Sequence, residues 1–128
     1  MNIFLEENQK LNLSALRDED SCWIGNVLDS IASLQLINSY VIPNTKYSIL
    51  DLGTGGGFPL LPLAMMLPDA HCTGLDATTK KIAAIQRIAD QLSLKNVQLI
   101  TGRAEELGSD PAHREQYDLI TARAVAPL

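Results

Sequence analysis

The stretch DLGTGGGFP, Asp51 to Pro59, constrains this chain more than any other. It separates the apolar run YSIL from LLPLAMML, so a glycine-rich turn joins a strand to a helix. Four glycines within positions 53–57 exceed what chain reversal needs, and glycine there lets the backbone approach a ligand closely. Gly53 and Gly55 fill the first two places of G-x-G-x-x-G, but Phe58 stands at the third. In the dinucleotide fingerprint that third glycine lets helix and strand pack closely beneath a pyrophosphate. Phe58 disfavours that version. Asp51 sets a carboxylate at the strand end, which is unfavourable beside a pyrophosphate and suits a cationic or amino-bearing ligand. Both departures point away from NAD and toward S-adenosylmethionine.

The rest of the chain supports a strand–helix alternation around this turn. Pro59 and Pro62 fit a helix that starts near Phe58, because a first-turn proline breaks no intrahelical hydrogen bond. After YSILDL and LLPLAMML come the strand HCTGLD and the helix TTKKIAAIQRIADQLSL, with an inner face of Ile82, Ile85, Ala89 and Leu92. VQLIT, the short helical turn AEEL and the strand YDLITA complete the series. Strands alternating with helices give an α/β fold with a parallel sheet and right-handed crossovers. Ligands in such sheets lie beyond the carboxyl ends of the strands, marked here by Asp51, Asp76, Thr101 and Ala122. Upstream, MNIFLEENQKL reads as an amphipathic helix and NLSALRDEDS as a polar break able to cap a second helix. Ile24, Val27, Leu28, Ile31 and Leu34 recur at helical spacing between Ser21 and Tyr40, and IPNTK ends that helix. The division expected is a helical segment over 1–44 and the sheet domain over 45–128.

Composition bounds the partners. Ten Lys and Arg against fifteen Asp and Glu leave a net charge of −5, whereas a freestanding nucleic-acid binder is usually basic. This balance argues mildly against RNA or DNA and leaves room for a local basic patch. The two cysteines, Cys22 and Cys72, lack a CxxC or metal-type spacing and read as buried free thiols of a reducing cytosol. The acidic start MNIFLEENQK is unlike a signal peptide, and no apolar run reaches the ~20 residues of a membrane span. A cytoplasmic protein without a membrane is therefore expected.

Individual residues at the strand ends carry the chemistry. Asp76, 23 residues after Gly53, is placed to accept ribose hydroxyls, a role shared by NAD and S-adenosylmethionine sites, or to cap the helix at TTKK. Ala104 and Glu105 of RAEEL could meet an adenine edge, and Arg123 lies at the same rim unless it is a plain surface arginine. His71 and His113 have no partner at metal or nucleophile spacing, no metal set is seen, and no Ser-His-Asp or Cys-His arrangement is visible. No catalytic residue is assigned. That pattern suits methyl transfer, since a sulfonium is already activated and needs mainly an aligned acceptor.

NQKLNLSALRD, NVLDSIA, ILDLGTGGGFPLLPLA, GLDATTKKIAAIQ, RAEEL and YDLITARAVAPL together resemble the bacterial small-subunit ribosomal RNA guanine-N7 methyltransferase family, glucose-inhibited division protein B. The resemblance runs over nearly the whole chain. It implies a class I (Rossmann-like) S-adenosylmethionine-dependent methyltransferase sheet, with four parallel strands and N-terminal helices present here. It also implies methylation at N7 of a guanine in 16S ribosomal RNA, with that RNA or the small ribosomal subunit as partner. Carried over by motif, the cofactor contacts are Gly53 and Phe58, then Asp76, Ala77 and Thr78, then Ala104 and Glu105 at the adenine, with Arg123 where cofactor meets substrate. Asn26 stands where many members have histidine. Members continue through three further strands, so this sequence reads as truncated, and its fourth strand as an edge open to self-association. Two alternatives stay open: a class I methyltransferase acting on a small molecule or protein, which the acidic balance suits, and an inactive nucleotide-binding module.

Overall fold

The computed structural model describes residues 1–41 and 45–123. Helix α1 (Asn2–Leu11) opens the chain. It ends at Asn12, whose left-handed backbone (φ 51°) sends its N–H back to the Asn8 carbonyl, a helix stop that asparagine tolerates. The polar segment after it caps the next helix, as its composition predicts. The Asp18 carboxylate accepts the Ser21 N–H at 2.9 Å at the start of α2 (Glu19–Cys22).

The single helix predicted over 21–40 is instead four pieces. A π-helical turn (Trp23–Leu28) separates α2 from α3 (Asp29–Ala32), and Ser33 separates α3 from α4 (Leu34–Tyr40). The inserted turn rotates the inner face. Cys22, Asn26, Ser30 and Ile37 are buried, whereas Ile24 (66% exposed) and Leu28 (56%) face outward. Val27 and Leu34 keep their predicted side partly buried against the core, and Ile31 is also half-buried. A buried amide with partners thus sets the rotation against the apolar periodicity. The predicted stop at Pro43 and Asn44 lies outside the described residues.

The sheet follows the predicted alternation. Strands β1 (Tyr47–Leu52), β2 (Ala70–Asp76), β3 (Val97–Thr101) and β4 (Leu119–Ala122) are all parallel and stand in the order β3-β2-β1-β4. Between them run α5 (Leu60–Met66), α6 (Thr79–Gln91) and α7 (Ala104–Ser109). The fourth strand is two residues shorter at its start than YDLITA suggests, because Asp118 turns to bond the Ser48 backbone N–H through its carboxylate at 2.8 Å. Central β1 is buried at Ile49, Leu50 and Asp51, as a strand covered on both faces must be.

One face of the sheet holds the core. Ile49 and Cys72 meet Leu60, Leu61 and Leu63 of α5 and Ala84, Ile85 and Ile88 of α6. The α6 inner face is Ala84, Ile85, Ile88 and Ala89. Predicted Ile82 is only partly buried and Leu92 is exposed, since the helix ends at Gln91. Helix α1 lies over this layer. Phe4 meets Phe58 edge-on with ring centroids 4.9 Å apart, and buried Glu7 accepts from Arg87 Nε at 3.2 Å and Nη2 at 2.6 Å. On the other face Leu50, Leu52 and Ile120 line a cleft of about 190 Å³ with Ala104, Leu107 and Tyr117. Among the described residues no helix is long and apolar enough to cross a membrane.

Candidate cofactor cradle

The carboxyl ends of β1, β2, β3 and β4 converge on the glycine turn. Gly53 (φ 65°), Gly55 (φ 54°) and Gly57 (φ 87°) all take the left-handed backbone that side chains disfavour. Gly57 is doubly constrained, for a Cβ there would stand 2.7 Å from Leu61 Cδ1. The turn is knitted to the neighbouring strand end: Thr54 N–H donates to the Leu75 carbonyl at 2.9 Å and Gly57 N–H to the Thr54 carbonyl at 2.8 Å. Gly57 then accepts the Leu61 N–H at 2.7 Å as α5 begins at Leu60, two residues later than the start expected near Phe58, so Pro62 lies in the first turn as the sequence predicts while Pro59 stands just outside it.

Asp76 is the second fixed point. Its Oδ2 accepts the Gly55 N–H at 3.0 Å and its Oδ1 the Thr78 N–H at 2.9 Å. The carboxylate therefore ties the glycine turn to the entrance of α6. Each oxygen keeps a further lone pair for a hydroxyl donor. Ala77 and Thr78 are exposed at this corner, and Thr78 precedes α6 without a side-chain capping bond. Ala104 and Glu105 form the exposed first turn of α7, one strand further along the rim.

Two predicted contacts stand differently from the others. The Phe58 ring turns into the core beside Phe4, so only its backbone faces the turn. Arg123 sits at the end of β4, where its guanidinium reaches back to the N-terminal helices. Nη1 donates to Asp29 Oδ2 at 3.1 Å and to the Gly25 carbonyl at 3.3 Å, and Nη2 donates to Asn26 Oδ1 at 3.2 Å. It is an exposed arginine that bridges two elements.

Asp51 lies beneath the turn at 1% exposure. Its Oδ1 accepts the Thr121 hydroxyl at 2.8 Å, while Oδ2, like the Thr54 hydroxyl, has no hydrogen-bond partner among the described residues. Burial pushes the Asp51 carboxyl above the usual range, and nearby Thr121, Thr54 and Arg123 oppose the shift only in part. Buried Cys72 is pushed up to about 12, by burial first and then by the Asp51 charge. Burial also raises Cys22, so both free thiols stay protonated at neutral pH and are poor nucleophiles. The histidines are engaged elsewhere: His71 Nε2 pairs with Gln98 Oε1 at 3.1 Å, and His113 Nδ1 with the Tyr117 hydroxyl at 3.0 Å.

Sequence reasoning missed the residues that roof the turn. Buried Asn8 accepts the Ser14 N–H and donates to the Leu16 carbonyl, both at 2.8 Å, which folds the segment 12–16 over the glycines. A Cβ on Gly56 would stand 2.9 Å from the Leu13 carbonyl oxygen. The polar texture of NQKLNLSALRD carried that signal, because short polar side chains in a break between helices bond to nearby backbone.

The chain is similar to known proteins in sequence and in fold. The sequence model of the family described as GidB, rRNA small subunit methyltransferase G, matches residues 1–128. A ribosomal RNA small subunit methyltransferase G from Thermoanaerobacter sp. (strain X514) is 42% identical over 126 residues, covering 98% of this chain and 51% of its own length. This chain thus spans about half the length of the curated relatives it matches. Among solved structures, the YcgJ protein of Bacillus subtilis superposes with a TM-score of 0.56 at 29% identity, over 72% of this chain and 37% of that one. Coclaurine N-methyltransferase bound to N-methylheliamine and SAH gives 0.52 at 25% identity, over 77% and 29%.

Proposed function

The chain belongs to the GidB family, rRNA small subunit methyltransferase G, and from that premise we propose that it binds S-adenosylmethionine at the glycine turn. It would thereby carry the cofactor side of an enzyme that methylates N7 of a guanine in 16S ribosomal RNA, within the free RNA or the small subunit. The observation that carries this reading is the cradle itself: left-handed glycines pinned through Gly55 N–H to Asp76, above a buried carboxylate with one oxygen unpartnered among the described residues. A buried polar atom without a partner costs stability, so Asp51 Oδ2 fits a donor arriving with a ligand. The ammonium of an amino-acid moiety is such a donor, and the diphosphate of NAD is not. The solved methyltransferase with SAH bound shares this fold.

Gly53, with the Phe58 backbone, would hold one end of the cofactor. Asp76, Ala77 and Thr78 would hold the ribose, Ala104 and Glu105 the adenine, and Arg123 the edge toward the acceptor. When bound, the cofactor supplies a methyl group on an activated sulfonium, which guanine N7, having a lone pair and no proton, can accept without a general base. The chain's work is then to bind and align, which accords with protonated thiols and histidines paired to neighbours. In this reading, with the chain divided into a helical segment 1–44 and a sheet domain 45–128, residues 12–16 of the first roof the site and the strand ends of the second form its floor. The cytoplasm is the compartment that suits such a substrate and two reduced, buried cysteines.

The net charge of −5 supports a second reading, in which the acceptor is a small molecule or a protein. Methyl-labelled S-adenosylmethionine incubated with small ribosomal subunits and with a cell extract separates the two. Label in 16S RNA at guanine N7 supports the first and label confined to protein or small molecules the second, whereas S-adenosylhomocysteine binding without any label fits the cofactor side alone or an inactive binding module. The edge strand β4, with Ile120 61% exposed, is further proposed to pair with a second copy of the chain.

A further inference from the structure

The hydrogen bonds of Arg123 lead to one amide. Arg123 follows β4 directly, and its guanidinium meets a single turn of helix at Gly25, Asn26 and Asp29. The pair with Asp29 is solvent-exposed, and an exposed ion pair fixes a side chain weakly. The bond to Asn26 differs in kind, because Asn26 is 2% exposed and both ends of its carboxamide are engaged. Its Oδ1 accepts from Arg123, while its Nδ2 donates at 3.2 Å to Ser14 Oγ, which also accepts the Leu16 N–H at 3.2 Å. Turning the amide over would set its NH₂ against the guanidinium donors, so one orientation is held.

The support continues behind Ser14. Its N–H is held by Asn8 Oδ1, and the Leu13 carbonyl of the same segment lies against Gly56. One hydrogen-bonded strap therefore registers the glycine turn and the end of β4 against each other. The π-helical turn at Trp23–Leu28 makes this possible by rotating Asn26 inward.

We infer that Asn26, braced by Ser14, is a positioning residue that sets where Arg123 stands at the edge of the cofactor site. The inference rests on the reading of Arg123 given under Proposed function. An Asn26 that merely satisfied the interior would affect stability, with no dependence of its effect on Arg123. An Asn26 that acts through Arg123 changes ligand affinity only while Arg123 is present.

The test is a cycle on the 128-residue chain, with S-adenosylhomocysteine titrated by calorimetry into wild type, Asn26→Ala, Arg123→Ala and the double variant. Arg123→Ala is expected to weaken binding about tenfold and Asn26→Ala about three- to tenfold, the double variant being no weaker than Arg123→Ala alone. Asn26→Asp keeps the acceptor toward Arg123 and lets the Ser14 hydroxyl donate, so it should bind within about twofold of wild type. If Asn26→Ala does not fold, Ser14→Ala enters the same cycle, with a loss of about two- to threefold that vanishes beside Arg123→Ala. Losses that multiply in the double variant, or wild-type affinity in Asn26→Ala beside a weakened Arg123→Ala, overturn the positioning role and leave the cofactor reading intact. Wild-type affinity in Arg123→Ala, or no binding by wild type, overturns the cofactor role of Arg123 and the positioning role with it.

Discussion

The two halves of the sheet are built to different standards. Where β1 and β2 meet, side chains are buried on both faces: Ile49, Leu50, Asp51, Cys72, Thr73 and Leu75 are all closed to solvent. At the outer strands β3 and β4 no residue is fully buried, and Ile120 stands open. The centre carries the glycine turn and Asp76, and the rim beyond it carries Ala104, Glu105 and Arg123. A ligand bound here would rest on a buried inner wall and a more exposed outer one. In the reading proposed above, the centre would take the cofactor's amino acid and ribose, and the rim its adenine and the edge toward the acceptor.

The largest effects should come from the centre. Ile85→Ala removes a fully buried side chain between α6 and the sheet and should cost about 2–5 kcal/mol, read by chemical denaturation. Gly57→Ala forces a Cβ into Leu61 at a left-handed backbone and should cost about 2–4 kcal/mol, with loss of S-adenosylhomocysteine binding. A cost below about 1 kcal/mol in either would mean that the centre is looser than its packing implies.

Asp76→Ala comes next. It removes acceptors from Gly55 and Thr78 and from any ribose hydroxyl, so affinity should fall roughly ten- to a hundredfold while the fold persists. A lowered melting temperature with unchanged affinity would reduce Asp76 to a staple between turn and helix.

Two buried acids should respond oppositely to pH. Glu7 is lowered by the Arg87 hydrogen bond, so its contribution is present above the ordinary value of 4.5 and lost as pH falls through the folded pKa. Glu7→Gln should therefore flatten the acid limb of the stability profile. Asp51 is raised by burial, so its contribution is greatest below the ordinary 3.8 and is lost as pH rises through the folded pKa. Asp51→Asn should then be as stable as wild type or more so near pH 7, yet bind S-adenosylhomocysteine more weakly. Reduced stability with unchanged affinity would place Asp51 in the framework alone.

The smallest effect on stability is expected at the edge. Ile120→Lys should change unfolding free energy by less than about 0.5 kcal/mol while lowering any self-association seen by sedimentation. Association unchanged by the lysine would move the contact away from β4.

How much of the molecule is legible in its sequence depends on which forces act locally. The glycine turn, the helix start just after Pro59 and the parallel alternation all rest on backbone rules that hold within a few residues. The rotation of the segment 21–40 does not. Asn26 turns inward because Ser14 and Arg123, 12 and 97 positions away, receive its amide. Apolar periodicity counts Ile24 and Leu28 and is blind to that pairing. Phe58 was legible as the mark against a dinucleotide, but its ring turns inward to Phe4, a partner on another helix. The candidate at Asp76 follows from its strand end, and those at Ala104 and Glu105 from the turn after the third strand, whereas Ala77 and Thr78 rest on the family resemblance alone.

A glycine turn shaped for S-adenosylmethionine should discriminate sharply between cofactors, and calorimetry of the 128-residue chain against S-adenosylhomocysteine and NAD reads that discrimination. Saturable binding of S-adenosylhomocysteine is expected, weakened by Asp51→Asn, with NAD binding at least tenfold weaker, about 1.4 kcal/mol. Tighter binding of NAD than of S-adenosylhomocysteine would contradict it.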